Sequence, residues 1–314
     1  MRILNFGSLN IDHVYRVRQI SRPGETVDSL SYQVSAGGKG ANQSAALGRA
    51  EAPVSHAGLV GGDGRWLIDK LKSCGVDMRH TGCLDEAATG QAVIQVDAAG
   101  QNSIVLHGGC NRLISKERID DVLPHFMRGD ILLLQNEISE ISYLIDEAFR
   151  EGMRTILNPA PFTPEVLSYP LDHVDTVIIN ETEAAELAAG MAKTPMRHTA
   201  GADPAPEQLE RLSELLPNAD LVLTLGAGGV HFRSRDGHQL RVAAAPTDVV
   251  DTTAAGDTFV GYFVAALSTG LQVDAALQRA SVAAALSVGR PGAMDSIPTA
   301  DAVDAREVEL RRES

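Results

Sequence analysis

Val249-Val-Asp-Thr-Thr-Ala-Ala-Gly-Asp-Thr-Phe-Val-Gly-Tyr-Phe263 is the stretch on which the reading of this chain turns. Thr247 to Val250 reads as the end of an extended run, and Asp251 to Ala255 are small and polar, as a loop requires. From Gly256 the apolar residues Phe259, Phe263 and Ala266 or Leu267 recur at helical spacing. Asp257 therefore stands in the first turn of a helix. There the free N–H groups of Ala254, Ala255, Gly256 and Asp257 can converge on one point, a natural pocket for a phosphate oxygen. Gly256 lets backbone approach a ligand closely. A lone acid beside an anion pocket points to phosphoryl transfer, the amides holding negative charge and the acid taking a proton from the attacking hydroxyl. An aspartate in a first turn is also a common helix cap, and this stretch by itself does not choose between cap and catalyst.

The 314 residues suffice for one large α/β domain or two small ones, and a 44% hydrophobic content is that of a globular enzyme with a real core. A net charge of −14 argues against nucleic acid or an anionic membrane as partner. It still allows one phosphate held by backbone N–H groups. Cys74, Cys83 and Cys110 are odd in number and lack metal or redox spacing, which fits inert thiols in a reduced cytosol. Met1-Arg-Ile-Leu-Asn-Phe-Gly7 enters strand-like sequence directly, without the pattern of a signal peptide. No apolar run nears the ~18 to 20 residues that span a bilayer. A soluble, cytoplasmic protein is expected.

Along the chain, Ile3 to Gly7 is a buried strand closed by glycine. Asn10 and Asp12 fall just past its end, where open α/β sheets place ligand contacts. Residues 13–36 are rich in β-formers, and Thr89 to Val96 with Ser103 to Leu106 alternates like a hairpin. Together these predict a small sheet off the main body, either a flap over a site or an oligomer edge. Gly37-Gly-Lys-Gly-Ala-Asn42 ends a strand and opens an Ala-rich helix, yet it is not a Walker A loop, because Gly40 follows Lys39. Ile131 to Leu134, Thr155 to Leu157, Thr176 to Ile179 and Leu221 to Thr224 are strands alternating with helices, which means a parallel, doubly wound sheet. Residues 191–206 read as a mobile surface insertion. A final helix over 274–288 is so rich in Ala and Ser that neighbouring backbone must pack very close, and a tight loop, Arg290 to Pro298, follows it.

Gly7-Ser-Leu-Asn-Ile-Asp12, Gly37-Gly-Lys-Gly-Ala-Asn42 and Asp251-Thr-Thr-Ala-Ala-Gly-Asp257 resemble the motifs of the PfkB carbohydrate kinases, and most closely their ribokinase branch. Thr89-Gly90, Gly108 to Asn111, Asn158-Pro-Ala-Pro161, Asn180-Glu-Thr-Glu183, Thr224-Leu-Gly226 and Gly292 to Pro298 follow in the family's order. The likeness spans nearly the whole chain. It implies an α/β fold with a ribokinase-like, doubly wound, mostly parallel sheet flanked by helices. A small β-sheet lid, from about 12–36 and 91–107, belongs to the same single domain, 1–314.

The resemblance also assigns roles. Asp257 becomes the general base, with Ala254, Ala255 and Gly256 as the anion hole. Asn10, Asp12, Gly38, Lys39, Gly40, Ala41, Asn42 and Glu137 match sugar-contacting positions. Asn180, Thr224, Leu225, Gly226, Ala227, Gly228, Gly229, Gly256 and Ser281 match contacts to ATP. Glu183 would hold Mg²⁺ through water. Asp251, Thr253, Ser287, Arg290, Gly292 and Ser296 fall where the family binds a monovalent cation such as K⁺, Arg290 through its carbonyl alone. Two positions depart from the pattern: Ile179 replaces a frequent Pro, and Asn136 replaces a Leu beside a sugar contact.

The activity implied is an ATP-dependent kinase acting on the primary hydroxyl of a small sugar, D-ribose first. A kinase of the same family for another substrate, a ketose, sugar acid or nucleoside, is the alternative, although 4% aromatics and a single Trp, Trp66, offer a nucleobase little to stack on. A non-catalytic sugar sensor would be expected to lose its base or anion pocket, and Asp257 and Gly256 are both present. An exposed lid edge predicts a homodimer through the lid.

Overall fold

Short apolar runs closed by glycine or amide residues form the strands, and longer 3.6-periodic runs form the helices. The computed structural model describes residues 1–191 and 205–313. The strands are β1 (Ile3–Phe6), β2 (Asn10–Val17), β3 (Ser29–Gly37), β4 (Val54–Gly61), β5 (Asp77–Leu84), β6 (Gly90–Val96), β7 (Asn102–His107), β8 (Ile131–Gln135), β9 (Arg154–Asn158), β10 (Thr176–Asn180), β11 (Asp220–Thr224), β12 (Val230–Arg233) and β13 (Gln239–Val242). The helices are α1 (Lys39–Arg49), α2 (Arg65–Ser73), α3 (Lys116–Val122), α4 (Ile141–Arg150), α5 (Glu181–Met191), α6 (Ala205–Leu215), α7 (Ala255–Ser268), α8 (Val273–Val288) and α9 (Ala300–Glu313).

The main sheet has nine strands in the order β13-β12-β11-β10-β9-β8-β1-β4-β5. From β5 to β11 every neighbouring pair is parallel, and β12 and β13 close one edge antiparallel. All five residues of β8, Ile-Leu-Leu-Leu-Gln, are buried, as both faces of a covered parallel sheet require. Alternate residues feed two cores. Ile3, Leu133, Ile156, Ile178 and Val222 pack with α1, α2, α7 and α8. Leu4, Leu132, Leu134, Leu157 and Leu221 pack with α3, α4, α5 and α6. This is the mostly parallel, helix-flanked sheet that the alternation of elements predicts. A separate sheet of four strands, β3-β2-β6-β7, starts where Asn10 pairs with both Gly37 and Gly90.

Several expectations need correction. Thr247 to Val250 is loop, not strand, with Val249 and Val250 exposed. Residues 243–250 carry the chain from an edge strand to α7 without pairing in the sheet. Asn10 and Asp12 follow the end of β1 and belong to a further strand, β2, that begins before the β-rich run 13–36. The edge strands β5 and β13, and β12 beside β13, lack the unbroken apolar run that reveals a central strand. α8 is not the last helix: α9 follows, a highly charged sequence with Val303 buried. The proposed insertion at 191–206 falls, for 192–204, outside the described residues; Ala205 and Pro206 begin α6. Among the described residues, no helix is long and apolar enough to cross a membrane.

One helix pair places the site. A Cβ added to Gly261 of α7 would stand 2.4 Å from the Cβ of Ala46 and 2.9 Å from the carbonyl oxygen of Gln43, both on α1. The two helices therefore touch almost backbone to backbone, which only glycine at this position allows. Gly261→Val is expected to destabilise the fold by about 2–3 kcal/mol through overpacking. Its urea unfolding midpoint should fall; an unchanged midpoint would contradict this contact.

Candidate active site

The order of the main sheet reverses at β1, with β4 on one side and β8 on the other. In open α/β sheets, ligands bind beyond the carboxyl ends of the strands at such a reversal. Around this point the strands end in polar residues: Ser8 after β1, Gln135 and Glu137 at β8, Asn158 at β9, Asn180 at β10 and Thr224 at β11. A cleft of about 260 Å³ opens there, lined among others by Lys39, Asn158, Asn180, Glu183, Thr224, Gly256 and Asp257.

Asp257 is 7% exposed at the first turn of α7. Its carboxylate does not cap its own helix. Oδ2 accepts from Asn42 Nδ2 at 3.0 Å, and Oδ1 accepts from Gln43 Nε2 at 3.0 Å. Both donors come from α1, across the close contact at Gly261. α7 starts one residue earlier than the periodicity indicates, with Ala254 at φ 60 as its N-cap. Of the four amides expected to be free, that of Ala255 donates to the carbonyl of Thr252 at 3.3 Å. Those of Gly256 and Asp257 have no partner among the described residues. An acid with fixed geometry thus adjoins unpaired N–H groups, the pairing that proton abstraction and anion binding both need.

The other acids gather beside it. Glu137 Oε2 accepts from the amide of Lys39 at 2.9 Å and from the hydroxyl of Ser8, tying the end of β8 to the start of α1. Asp12 sits where a Cβ on Gly37 would meet its carboxylate at 2.0 Å, so glycine at 37 makes room for the acid. Burial, with the carboxylates of Glu137 and Asp257, raises Asp12 to about 7. Burial works against the charge of Lys39, but Asp257, Glu137 and Glu183 together hold its ammonium above the ordinary value. Asn42 keeps its Oδ1 buried and unpartnered, an acceptor set among groups suited to polyhydroxylated ligands. Asn10 is 6% exposed and receives Asn111 Nδ2 on its Oδ1 at 2.8 Å.

At the far side of the cleft, Asn180 and Glu183 exchange bonds at the start of α5. Burial raises the Glu183 carboxyl. The loop Gly226–Gly228 is internally bonded, Leu225 N to Gly229 O at 2.8 Å and Gly228 N to Leu225 O at 2.8 Å. Ser281 is not brought into this cleft. It lines a separate hollow of about 640 Å³ with Val242, Ala243, Ala245 and Gln278. Asp251 bridges two loops: Oδ1 accepts from the Thr253 amide and hydroxyl, and Oδ2 accepts from Gly292 N at 2.9 Å. Burial pushes Asp251 up, but these donors outweigh it and hold the carboxyl below its ordinary value. The hydroxyls of Ser287 and Ser296 donate to carbonyls of their own turns, and Arg290 is exposed.

The departure at Asn136 is settled by its bonds. Nδ2 donates to Pro161 O at 2.7 Å and Thr163 Oγ1 at 3.0 Å, while Tyr169 donates to Oδ1 at 2.5 Å. These bonds tie the end of β8 to the segment that follows β9. Sequence reasoning gave no role to Gln43, Gln135, Asn111 or Asn158. For Gln43, Gln135 and Asn158 the signal was an amide side chain set in an otherwise apolar or alanine-rich run; Asn111, between Gly108-Gly-Cys110 and Arg112, gave none.

A family profile described as pfkB family carbohydrate kinase matches residues 2–300. The chain is 36% identical over 304 residues to the ribokinase of Haemophilus influenzae, covering 93% of this chain and 94% of that protein. Among solved structures, the ribokinase of Cryptococcus neoformans in complex with ADP superposes with a TM-score of 0.87 at 35% identity, covering 97% of this chain and 98% of the other. The Arabidopsis thaliana ribokinase complexed with ribose and ATP gives 0.82 at 28% identity, covering 97% of each chain.

The setting of Asp12 has a thermodynamic consequence. Between its ordinary 3.8 and about 7, the folded protein keeps a proton that the unfolded chain has lost, so stability falls as pH rises through that window. Asp12→Asn is therefore expected to raise the melting temperature of the ligand-free protein at pH 8, the gain shrinking towards pH 4. No gain at pH 8 would contradict the crowded, buried setting.

Proposed function

The chain belongs to the pfkB family of carbohydrate kinases, and on that premise we propose that it transfers the γ-phosphate of ATP to the primary hydroxyl of D-ribose, giving D-ribose 5-phosphate. One observation carries the reading: a buried carboxylate, Asp257, is held by two neutral amides next to unpaired helix N–H groups. The sugar hydroxyl donates to Asp257, loses its proton there as the oxygen attacks phosphorus, and ADP leaves. The amides of Gly256 and Asp257, with Ala254 and Ala255 shaping the turn, hold the charge on the transferring group. Asn10, Asp12, Glu137 and the orphaned Oδ1 of Asn42 take the other hydroxyls, with Lys39 and the backbone of Gly38, Gly40 and Ala41 around them. The nucleotide lies along Asn180 and the loop Thr224 to Gly229, its base towards the hollow at Ser281.

Glu183 commits one carboxylate oxygen to Asn180 N and leaves the other uncommitted, which fits magnesium held through water. Such an ion, when bound, offsets negative charge on the phosphates. The two loops tied by Asp251 carry the backbone carbonyls that a potassium ion would take in our reading. Three free cysteines suit the reduced cytoplasm. The face of the small sheet turned away from Asp12 carries exposed Leu30, Tyr32, Val34, Val93 and Val105, and a second copy of the chain covers it in our reading. A monomeric mass at micromolar concentration would rule that pairing out.

The deciding assay follows ADP release with ATP and Mg²⁺ against ribose, deoxyribose, fructose, ketodeoxygluconate and adenosine, in K⁺ and then in Na⁺. Ribose is expected to be the preferred acceptor, with less turnover in Na⁺. Preference for another acceptor overturns the ribose assignment, and indifference to the ion overturns the cation site.

A further inference from the structure

Gln43 sits in the second turn of α1, fully buried, and none of the roles above uses it. We propose that it is a positioning residue for Asp257, the last member of a chain of buried amides that fixes how the carboxylate is turned. The proposal rests on the reading of Asp257 as the base.

The chain begins at Asn5, whose Nδ2 donates to Gly40 O and to Ser44 Oγ, both at 2.8 Å. Its Oδ1 is thereby the acceptor, and Gln135 Nε2 donates to it at 2.9 Å. The same Nε2 donates to Gln43 Oε1 at 2.7 Å. Gln43 Nε2 is left facing Asp257 Oδ1 and Asn158 Oδ1, each at 3.0 Å. Asn158 Nδ2 donates in turn to Ile178 O at 2.8 Å, so its oxygen too is fixed as an acceptor. Flipping the Gln43 amide would set oxygen against two oxygens and nitrogen against nitrogen, so the network allows one orientation. Asn5, Gln43, Gln135 and Asn158 are each no more than 8% exposed, so water does not offer substitute partners.

The chemistry explains why the holder is an amide. A lysine or arginine in its place would orient the carboxylate and also weaken it as a base, because a nearby positive charge favours the ionised form. A neutral donor gives direction with a smaller loss of basicity. With Oδ1 tied by Gln43 and Oδ2 by Asn42, the remaining lone pairs point along defined directions, one of which meets the attacking hydroxyl.

The test uses the full-length protein in steady-state assays with D-ribose, ATP and Mg²⁺, comparing Gln43→Met, Gln43→Glu and Asp257→Asn. Gln43→Met should lower kcat roughly 30- to 100-fold, with KM for both substrates within about threefold, since misorientation acts on the chemical step. Gln43→Glu sets a second carboxylate against Asp257 and should move the acidic limb of the kcat–pH profile to higher pH. A purely structural Gln43 would change the melting temperature and leave both readouts in place, and that result overturns the proposal. Should Gln43→Met fail to fold, the profile of Gln43→Glu decides: superposition on the parent profile overturns the proposal. Asp257→Asn keeps the two readings apart. Near-normal turnover of that variant removes the base itself, whereas its loss alongside unaffected Gln43 variants removes only this inference.

Discussion

The contact between α1 and α7 is the constraint on which the site depends. A carboxylate buried to the extent of Asp257 is costly unless donors satisfy it. Those donors stand on another helix, and side chains as short as Asn42 and Gln43 reach it only because Gly261 lets the backbones meet. The demand for close packing and the demand for donors to a buried carboxylate are met by the same missing side chain. Gly40 works alike at the other end of α1, where a Cβ would lie 2.3 Å from the amide of Ser8.

Electrostatically, the site concentrates acid. Asp12, Glu137, Asp257 and Glu183 share one region with a single ammonium, Lys39. Like charges at this density disfavour the folded state on their own, and the raised Asp12 and Glu183 carboxyls register that repulsion together with burial. Sugar hydroxyls and a hard cation would relieve it. Such trade of stability for function is expected of a site poised for ligand.

Much of this was legible in the sequence. The central strands are apolar runs, and the change from small polar residues to helical spacing marks the loop-to-helix junction at Asp257. What was hidden depends on contacts distant in sequence. Gln43 looks like an ordinary helix residue until Asp257, 214 positions away, is placed beside it. Strands β12 and β13 are mixed polar and apolar, and antiparallel pairing, β12 on β11 and β13 on β12, makes them strands. Asn136 could be read from sequence as structural or as a specificity residue, and its side-chain bonds to Pro161, Thr163 and Tyr169 give it a structural role.

The small sheet is no separate cover laid over a finished cavity. β2 carries Asn10 and Asp12 on the very strand that pairs with Gly37 and Gly90 to build that sheet. Under the proposed role of Asp12 as a sugar contact, a hinge that lifted the sheet would carry part of the grip away with it. Capture and closure would then be one thermodynamic event, the measured affinity being the intrinsic affinity scaled by the closed fraction. Substitutions far out on the sheet, touching no ligand, would register as changes in apparent affinity by shifting that population.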